Sequence, residues 1–246
     1  MTQNRLWERR DFMRALGASA IGGVLVGALG GETTAPVWAE DENPDTADAT
    51  VDFISDNHYK LPAPDKDSGY SLEKAIANRR SRRVFGKNHI TVGQLSNLLW
   101  SGQGLTHGRF RAAPSAGALY PMDLWVVIKD KFYQYIPKEH AIKLKSDSIK
   151  LKELHAAALE QDMVLNASVN LFISSVFERC SLKYRDRAPR YCMMEAGCIA
   201  ENIHLQVEAL NLATVIIGAF NDDKVKQVLG LRDSQRPMIL MPVGTL

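Results

Sequence analysis

Arg79-Arg80-Ser81-Arg82-Arg83 places four guanidinium groups and one hydroxyl in five consecutive residues, at the end of a short helical pattern. A guanidinium keeps its charge at any working pH and offers a planar fork of N–H donors matched to phosphate oxygens. The run is therefore a candidate phosphate clamp. Basic residues at a helix C-terminus also complement the dipole and solvate an exposed face. What the flanking sequence supplies decides between these readings.

Upstream, Ser71 is placed to cap a helix reaching about Arg80, with Leu72, Ala75 and Ile76 on one face. Downstream, Thr91-Val92-Gly93-Gln94 is a capping-box pattern that opens a second helix with Leu95, Leu98 and Leu99 inward, ending at Gly102 and Gly104. Apolar strands are expected at 124–128, 169–176, 214–217 and 238–243, with a hairpin around Pro137 joining 132–136 to 141–144. Helices are expected at 148–161, 190–210 and 222–229, the last stopped by Gly230. Helices and strands mix without strict βαβ alternation, which predicts an α+β fold.

Two further stretches accompany the arginines. Ala113-Pro114-Ser115-Ala116-Gly117-Ala118-Leu119-Tyr120-Pro121 lies between a helix and a strand, and its small residues allow close approach to a flat ligand while Ser115 adds a hydroxyl. Out of context it is also an ordinary surface turn. Ile216-Ile217-Gly218-Ala219-Phe220 ends an apolar strand, where Gly218 and Ala219 could lie against a ring and offer it a backbone N–H. The plain alternative is a strand terminus.

Together with Arg79 to Phe85 and Pro114 to Pro121, the stretches Tyr184-Arg185-Asp186-Arg187, Ala196 to Ile203, Gly218 to Asp222 and Met241-Pro242-Val243-Gly244 resemble the nitroreductase superfamily, and within it the SagB-type dehydrogenase branch. The resemblance spans about 71–246. It implies an α+β homodimer with a central, mainly antiparallel sheet flanked by helices and two FMN sites at the subunit interface, much of it formed by the long helix from Arg190. It places the FMN phosphate and ribityl chain on Arg79, Arg80, Ser81 and Arg83, with Arg82 at a variable position. Pro114, Ser115, Ala116 and Gly117 would reach the flavin of the partner subunit, and Gly218 and Ala219 would lie beside N5. Many nitroreductases carry further basic phosphate contacts in a C-terminal extension; here the chain stops at Leu246, so the phosphate would rely on the arginine run.

The implied activity is FMN-dependent hydride or electron transfer to or from a small molecule or peptide. The alternatives are a non-catalytic flavin-binding or electron-carrier module, or a flavin-free protein whose arginines meet acidic partners. NAD(P)H is the common donor in the superfamily, and an exported enzyme would need another. No Ser-His-Asp or Cys-His arrangement is legible, so no catalytic residue is assigned; Tyr184, Arg187, Arg190 and Tyr191 could line the substrate side or form a polar loop before a helix.

The N-terminal 39 residues read as an address. Glu8-Arg9-Arg10-Asp11-Phe12-Met13-Arg14 precedes a weakly apolar stretch from Ala15 to Leu29, and Val37-Trp38-Ala39 is a small-x-small cleavage site. Paired arginines followed by Phe at the second position resemble a twin-arginine (Tat) signal. That implies folding before export to the periplasm or another extracytoplasmic space. An uncleaved membrane anchor is the alternative, although six glycines between Gly17 and Gly31 interrupt the apolar run. Residues 40–68 form a linker or wrapping arm, and 69–246 the domain. A net charge of +2 gives no argument for nucleic acid. The six histidines are scattered, and Cys180, Cys192 and Cys198 fit no zinc or haem spacing, so no metal is expected. A disulfide between one cysteine pair stays open.

Overall fold

A computed structural model describes residues 52–55 and 57–246, so the signal-peptide reading and the start of the arm lie outside the described residues. Its elements are β1 (Asp52–Ser55), β2 (His58–Lys60), α1 (Leu72–Asn78), α2 (Val92–Gln103), β3 (Met122–Ile128), β4 (Lys131–Ile136), β5 (Ala141–Ser146), α3 (Leu151–Ala157), α4 (Met163–Asn166), β6 (Val169–Ser175), α5 (Glu178–Tyr184), α6 (Ala188–Ala209), β7 (Leu212–Thr214), α7 (Asp222–Leu229) and β8 (Arg236–Thr245). The strands form one eight-stranded sheet in the order β1-β2-β5-β4-β3-β6-β8-β7. All seven neighbouring strand pairs in that order are antiparallel. The fold is α+β, with helices on both faces of the sheet.

Successive side chains of a strand point to opposite faces, and β3 shows the consequence. Leu124, Val126 and Ile128 enter the core shared with α2 and α6, whereas Trp125 and Val127 enter the core shared with α3, α4 and α7. A strand buried on both faces needs apolar residues throughout, which is why 124–128 reads as a continuous apolar run. Trp125 stacks on Phe132 with ring centroids 4.9 Å apart, and its indole N–H donates to Ser174 Oγ at 2.9 Å.

Ser71 accepts from the Lys74 amide, and the Thr91–Gln94 capping box closes reciprocally at the start of α2. Leu95, Leu98 and Leu99 are fully buried. Gly102 lies inside α2, and a Cβ there would meet Ile203 Cδ1 of α6 at 3.0 Å, so its lack of a side chain sets how closely the two helices pack.

The structure corrects three expectations, the first being the strand at 214–217, which runs instead over Leu212–Thr214 with Ile217 making only an isolated bridge to Leu240. Within α1 only Ala75 is buried, while Leu72 and Ile76 are 60% and 59% exposed. The helix expected over 148–161 stops at Ala157, because Leu159 and Glu160 take left-handed backbone conformations with φ of 58° and 57°. The arm contributes β1 and β2 to the sheet edge, and Tyr59 and Leu61 are core residues. His140 fastens that arm: its Nε2 lies 2.9 Å from Pro62 O and 2.7 Å from Ser96 Oγ, and its Nδ1 lies 2.8 Å from Tyr135 Oη. Burial pushes the His140 pKa down, favouring a neutral ring that donates from Nε2 and accepts at Nδ1.

No helix among the described residues is long and apolar enough to cross a membrane. Nor do three His, Cys, Asp or Glu side chains among them converge to hold a metal ion. Cys180 and Cys192 are buried free thiols and Cys198 is half-buried.

Candidate functional site

The arginine run leaves α1 as an extended segment and crosses the C-terminal half of α6. Arg79 Nε lies 3.7 Å from Glu201 Oε1, His204 Nε2 lies 3.3 Å from Arg80 O, and Arg82 grips Glu208 with both guanidinium nitrogens. Glu201, His204 and Glu208 are spaced to follow one stripe of the helix. Arg82 is therefore consumed as a structural ion pair; its side chain is 17% exposed and that of Glu208 6%. Arg80, Ser81 and Arg83 are exposed, and neither Arg80 nor Arg83 is ion-paired among the described residues. Of four arginines, two meet no ion-pair partner among the described residues, one is loosely held and one is spent.

The same segment lies against the end of the sheet. The Arg82 amide donates to Thr214 O at 2.8 Å and the Gly86 amide to Thr245 O at 2.8 Å. Phe85 fills the space over Gly244, where a Cβ would lie 2.6 Å from Phe85 Cγ. Replacing Gly244 with alanine is expected to displace Phe85 and lower stability by about 1–3 kcal/mol. A thermal melt checks this, and an unchanged midpoint would show that the ring yields freely.

Beyond Thr214 the chain passes Ile217, which bridges Leu240 in both directions, and emerges at Gly218 and Ala219. Both residues are exposed, and a Cβ on Gly218 would meet nothing within 4 Å. Their N–H groups donate to no backbone carbonyl among the described residues. The arginine segment thus binds the strand end at Thr214, and the open Gly218–Ala219 backbone follows four residues beyond it.

The Pro114 to Gly117 stretch stands elsewhere on the same helix. Gly117 has φ of 62°, and Ala118 and Tyr120 follow with positive φ of 53° and 50°. Such a cluster of left-handed residues is a strained conformation that functional loops tend to store. Ser115 Oγ accepts from the Tyr120 amide at 2.9 Å, which closes the loop. A Cβ on Gly117 would sit 2.9 Å from Tyr184 Oη and 3.1 Å from Lys183 Nζ. Tyr184 packs edge-on against Tyr191 with centroids 4.9 Å apart. Lys183 was not singled out in the sequence, because nothing in its spacing connects it to Gly117. Ser115 faces Glu195, near the start of α6, whereas Arg82 holds Glu208 thirteen residues later. At 1.5 Å per residue that separation is about 20 Å along the helix. Within one chain the loop and the arginine segment therefore belong to different ends of α6.

Beneath the loop lies a buried polar cluster that sequence reasoning missed. Glu195 is 3% exposed, and burial pushes its carboxyl up to about 7, against the opposing pull of Ser115, Arg111 and Gln103. Arg111 donates to Gln103 Oε1, its amide donates to Tyr120 Oη at 3.1 Å, and its guanidinium lies over the Tyr120 ring at 4.5 Å. Burial lowers the pKa of Arg111 too. Gln103, Arg111 and Glu195 come from three separate parts of the chain with no motif spacing, so no local signal marks them.

A family model for the nitroreductase family matches residues 76–245. A protein of Methanocaldococcus jannaschii assigned to the nitroreductases is 37% identical over 180 residues, covering 70% of this chain and 90% of the relative. Among solved structures, a nitroreductase-type protein of Ralstonia eutropha JMP134 superposes with a TM-score of 0.69 at 25% identity, covering 77% of this chain and 89% of that one. The NADPH:FMN oxidoreductase of Vibrio harveyi, solved with NAD+, shares the fold with a TM-score of 0.55 at 21% identity, covering 71% and 68%. The chain belongs to the nitroreductase family, and its general activity is that of an oxidoreductase.

Proposed function

We propose that the protein is an FMN-dependent oxidoreductase of SagB type that acts as a homodimer outside the cytoplasm. The observation that carries the flavin reading is the pair of exposed guanidiniums at Arg80 and Arg83, ion-paired to nothing among the described residues, on the segment that binds the strand end four residues before the open Gly218–Ala219 backbone. Arg80, Arg83 and the Ser81 hydroxyl would hold the phosphate, with Arg79 adding charge that Glu201 partly offsets. The N–H groups of Gly218 and Ala219 would face the ring. Bound FMN supplies the redox chemistry, and the protein supplies position and electrostatics.

A dimer accounts for the separation of the two halves of the site. α6 exposes Arg190, Met193, Met194, Gly197 and Glu201, with the methionines 60% and 63% exposed. Leu72 and Ile76 of α1, Val84 at 85% and Leu182 at 92% are exposed as well. Exposed apolar side chains in that number mark an interaction face, and the bare Gly197 permits close approach of a partner helix. Two-fold pairing over α6 would carry the Pro114 to Gly117 loop of one subunit towards the arginine segment of the other. The Lys183 ammonium and Tyr184 hydroxyl, held at Gly117, would then be the groups placed to move a proton at the substrate.

The test is a visible absorption spectrum of purified full-length protein, with the chromophore released by denaturation and identified. A flavin spectrum and released FMN are expected. The Arg80→Ala plus Arg83→Ala variant is expected to lose FMN affinity by at least 100-fold, since each charge-assisted contact contributes on the order of 1.5–3 kcal/mol. A colourless protein that takes up no added FMN would overturn the reading.

A further inference from the structure

Beside the candidate flavin loop, and walled by its last residues Leu119 and Tyr120, is a cavity of about 420 Å³ between β3, β4 and the end of α2. The charges around it do not balance. Asp123 is already held, taking both nitrogens of Arg179 at 2.8 and 3.2 Å and the Gln235 amide at 3.3 Å. Arg111, on the cavity wall, pairs with no carboxylate among the described residues; its partners are the neutral Gln103 oxygen and the Tyr120 ring. Glu195 and, more weakly, Asp123 favour its charged form, but Glu195 keeps its proton until about pH 7 and Asp123 is committed to Arg179. Lys138 stands exposed at the mouth, outside every ion pair among the described residues.

A desolvated cation without a counter-ion is unfavourable. Gln103, 1% exposed, is also incompletely satisfied: its Nε2 is near enough to Glu195 to pull that carboxyl down, yet makes no hydrogen bond of ordinary length among the described residues. The orientation of that amide is fixed, because Arg111 can only donate and so must face Oε1. The remaining wall is largely apolar, with Met122, Leu124, Ile136 and Pro137. Apolar walls with a few convergent polar groups are the usual composition of a small-molecule site.

We infer that this cavity binds a small organic carboxylate, its charged end on Arg111 and Gln103 Nε2 and its apolar body against Met122 and Leu124. Lys138 raises the local concentration of anions at the entrance. The planar guanidinium fork suits a carboxylate in two-point contact, and a cavity of about 420 Å³ has ample room for a ring-sized body. The site is separate from the arginine segment and does not depend on the flavin reading. Its occupant would sit two hydrogen bonds from Ser115, through the Arg111 amide to Tyr120 and the Tyr120 amide to Ser115.

The experiment titrates full-length protein with benzoate, benzamide or inorganic phosphate, following heat by calorimetry and the Gln103 side-chain amide signal by NMR. Saturable benzoate binding that moves the Gln103 signal is expected, with benzamide and phosphate each at least 10-fold weaker. Arg111→Met is expected to weaken benzoate at least 10-fold. Should that variant fail to fold, Lys138→Met (a few-fold weaker) and the cavity-filling Leu119→Trp (binding abolished) carry the test. Benzoate binding with an unmoved Gln103 signal would place the ligand elsewhere and overturn the inference. So would equal affinity for benzamide or phosphate, affinity unchanged by the substitutions, or no saturable binding.

Discussion

Replacing Arg82 with alanine lowers the free energy of unfolding by about 3–5 kcal/mol, the usual effect of removing one partner from a buried ion pair. Glu208 is then left 8% exposed as a residue, with its bidentate partner gone. At about 2–4 °C per kcal/mol for a domain of this size, the thermal midpoint falls by roughly 6–20 °C. The paired variant Arg82→Met with Glu208→Leu recovers most of that loss, because the buried charge leaves with its partner. Urea denaturation of the three proteins at neutral pH measures the effect. A loss below about 1 kcal/mol in the single variant would class the pair with solvent-screened surface contacts. The comparison also separates Arg82 from its neighbours: Arg80 and Arg83 replaced together should change flavin content with little effect on the melt.

Glu195 is expected to make stability fall as pH rises. Its folded pKa is pushed up to about 7 from an ordinary value of 4.5, chiefly by burial. Between those two values the folded protein keeps a proton that the unfolded chain has released. The unfolded state binds fewer protons, so stability declines with pH across that window and levels off above about 7. A displacement of that size corresponds to about 3 kcal/mol. Glu195→Gln keeps the shape and abolishes the titration. The stability of the variant relative to the parent is therefore expected to rise by about 3 kcal/mol between pH 4.5 and 7.5. Among its neighbours Cys192, pushed up to about 11, stays protonated throughout and Arg111 stays charged. Denaturant melts across the range measure the difference, and parallel pH profiles for the two proteins would rule Glu195 out as its source.

Much of this fold was legible because its signals are local. The Thr91–Gln94 box, the Gly230 stop of α7, and the doubly buried run in β3 each declare themselves within a few residues. The arginine segment was legible as chemistry but not as allocation. That Arg82 goes to Glu208 while Arg80 and Arg83 pair with nothing among the described residues depends on the stripe of α6 that crosses beneath, 126 residues away in sequence at Glu208. Leu72 and Ile76 have helical spacing yet face outward, because periodicity records which residues share a face and not what covers it. Gln103, Arg111 and Glu195 were invisible for the complementary reason. Each is an ordinary polar residue in its own segment, and only tertiary packing makes a cluster of them.

The two ends of the sheet are closed by segments that also do other things. On one side the arm lays β2 along β5, with His140 fastening it at Pro62. On the other, β7 is three residues long and receives the Arg82 amide on Thr214 O. An unpaired strand edge is a template for another chain, so both segments double as guards against aggregation. Nicking the arm by a protease, or loosening the segment around Arg82, would bare a row of hydrogen-bonding groups on a sheet with a substantial apolar core. The durability of this protein in a crowded compartment would then be decided at the two margins of the sheet, before its interior gives way.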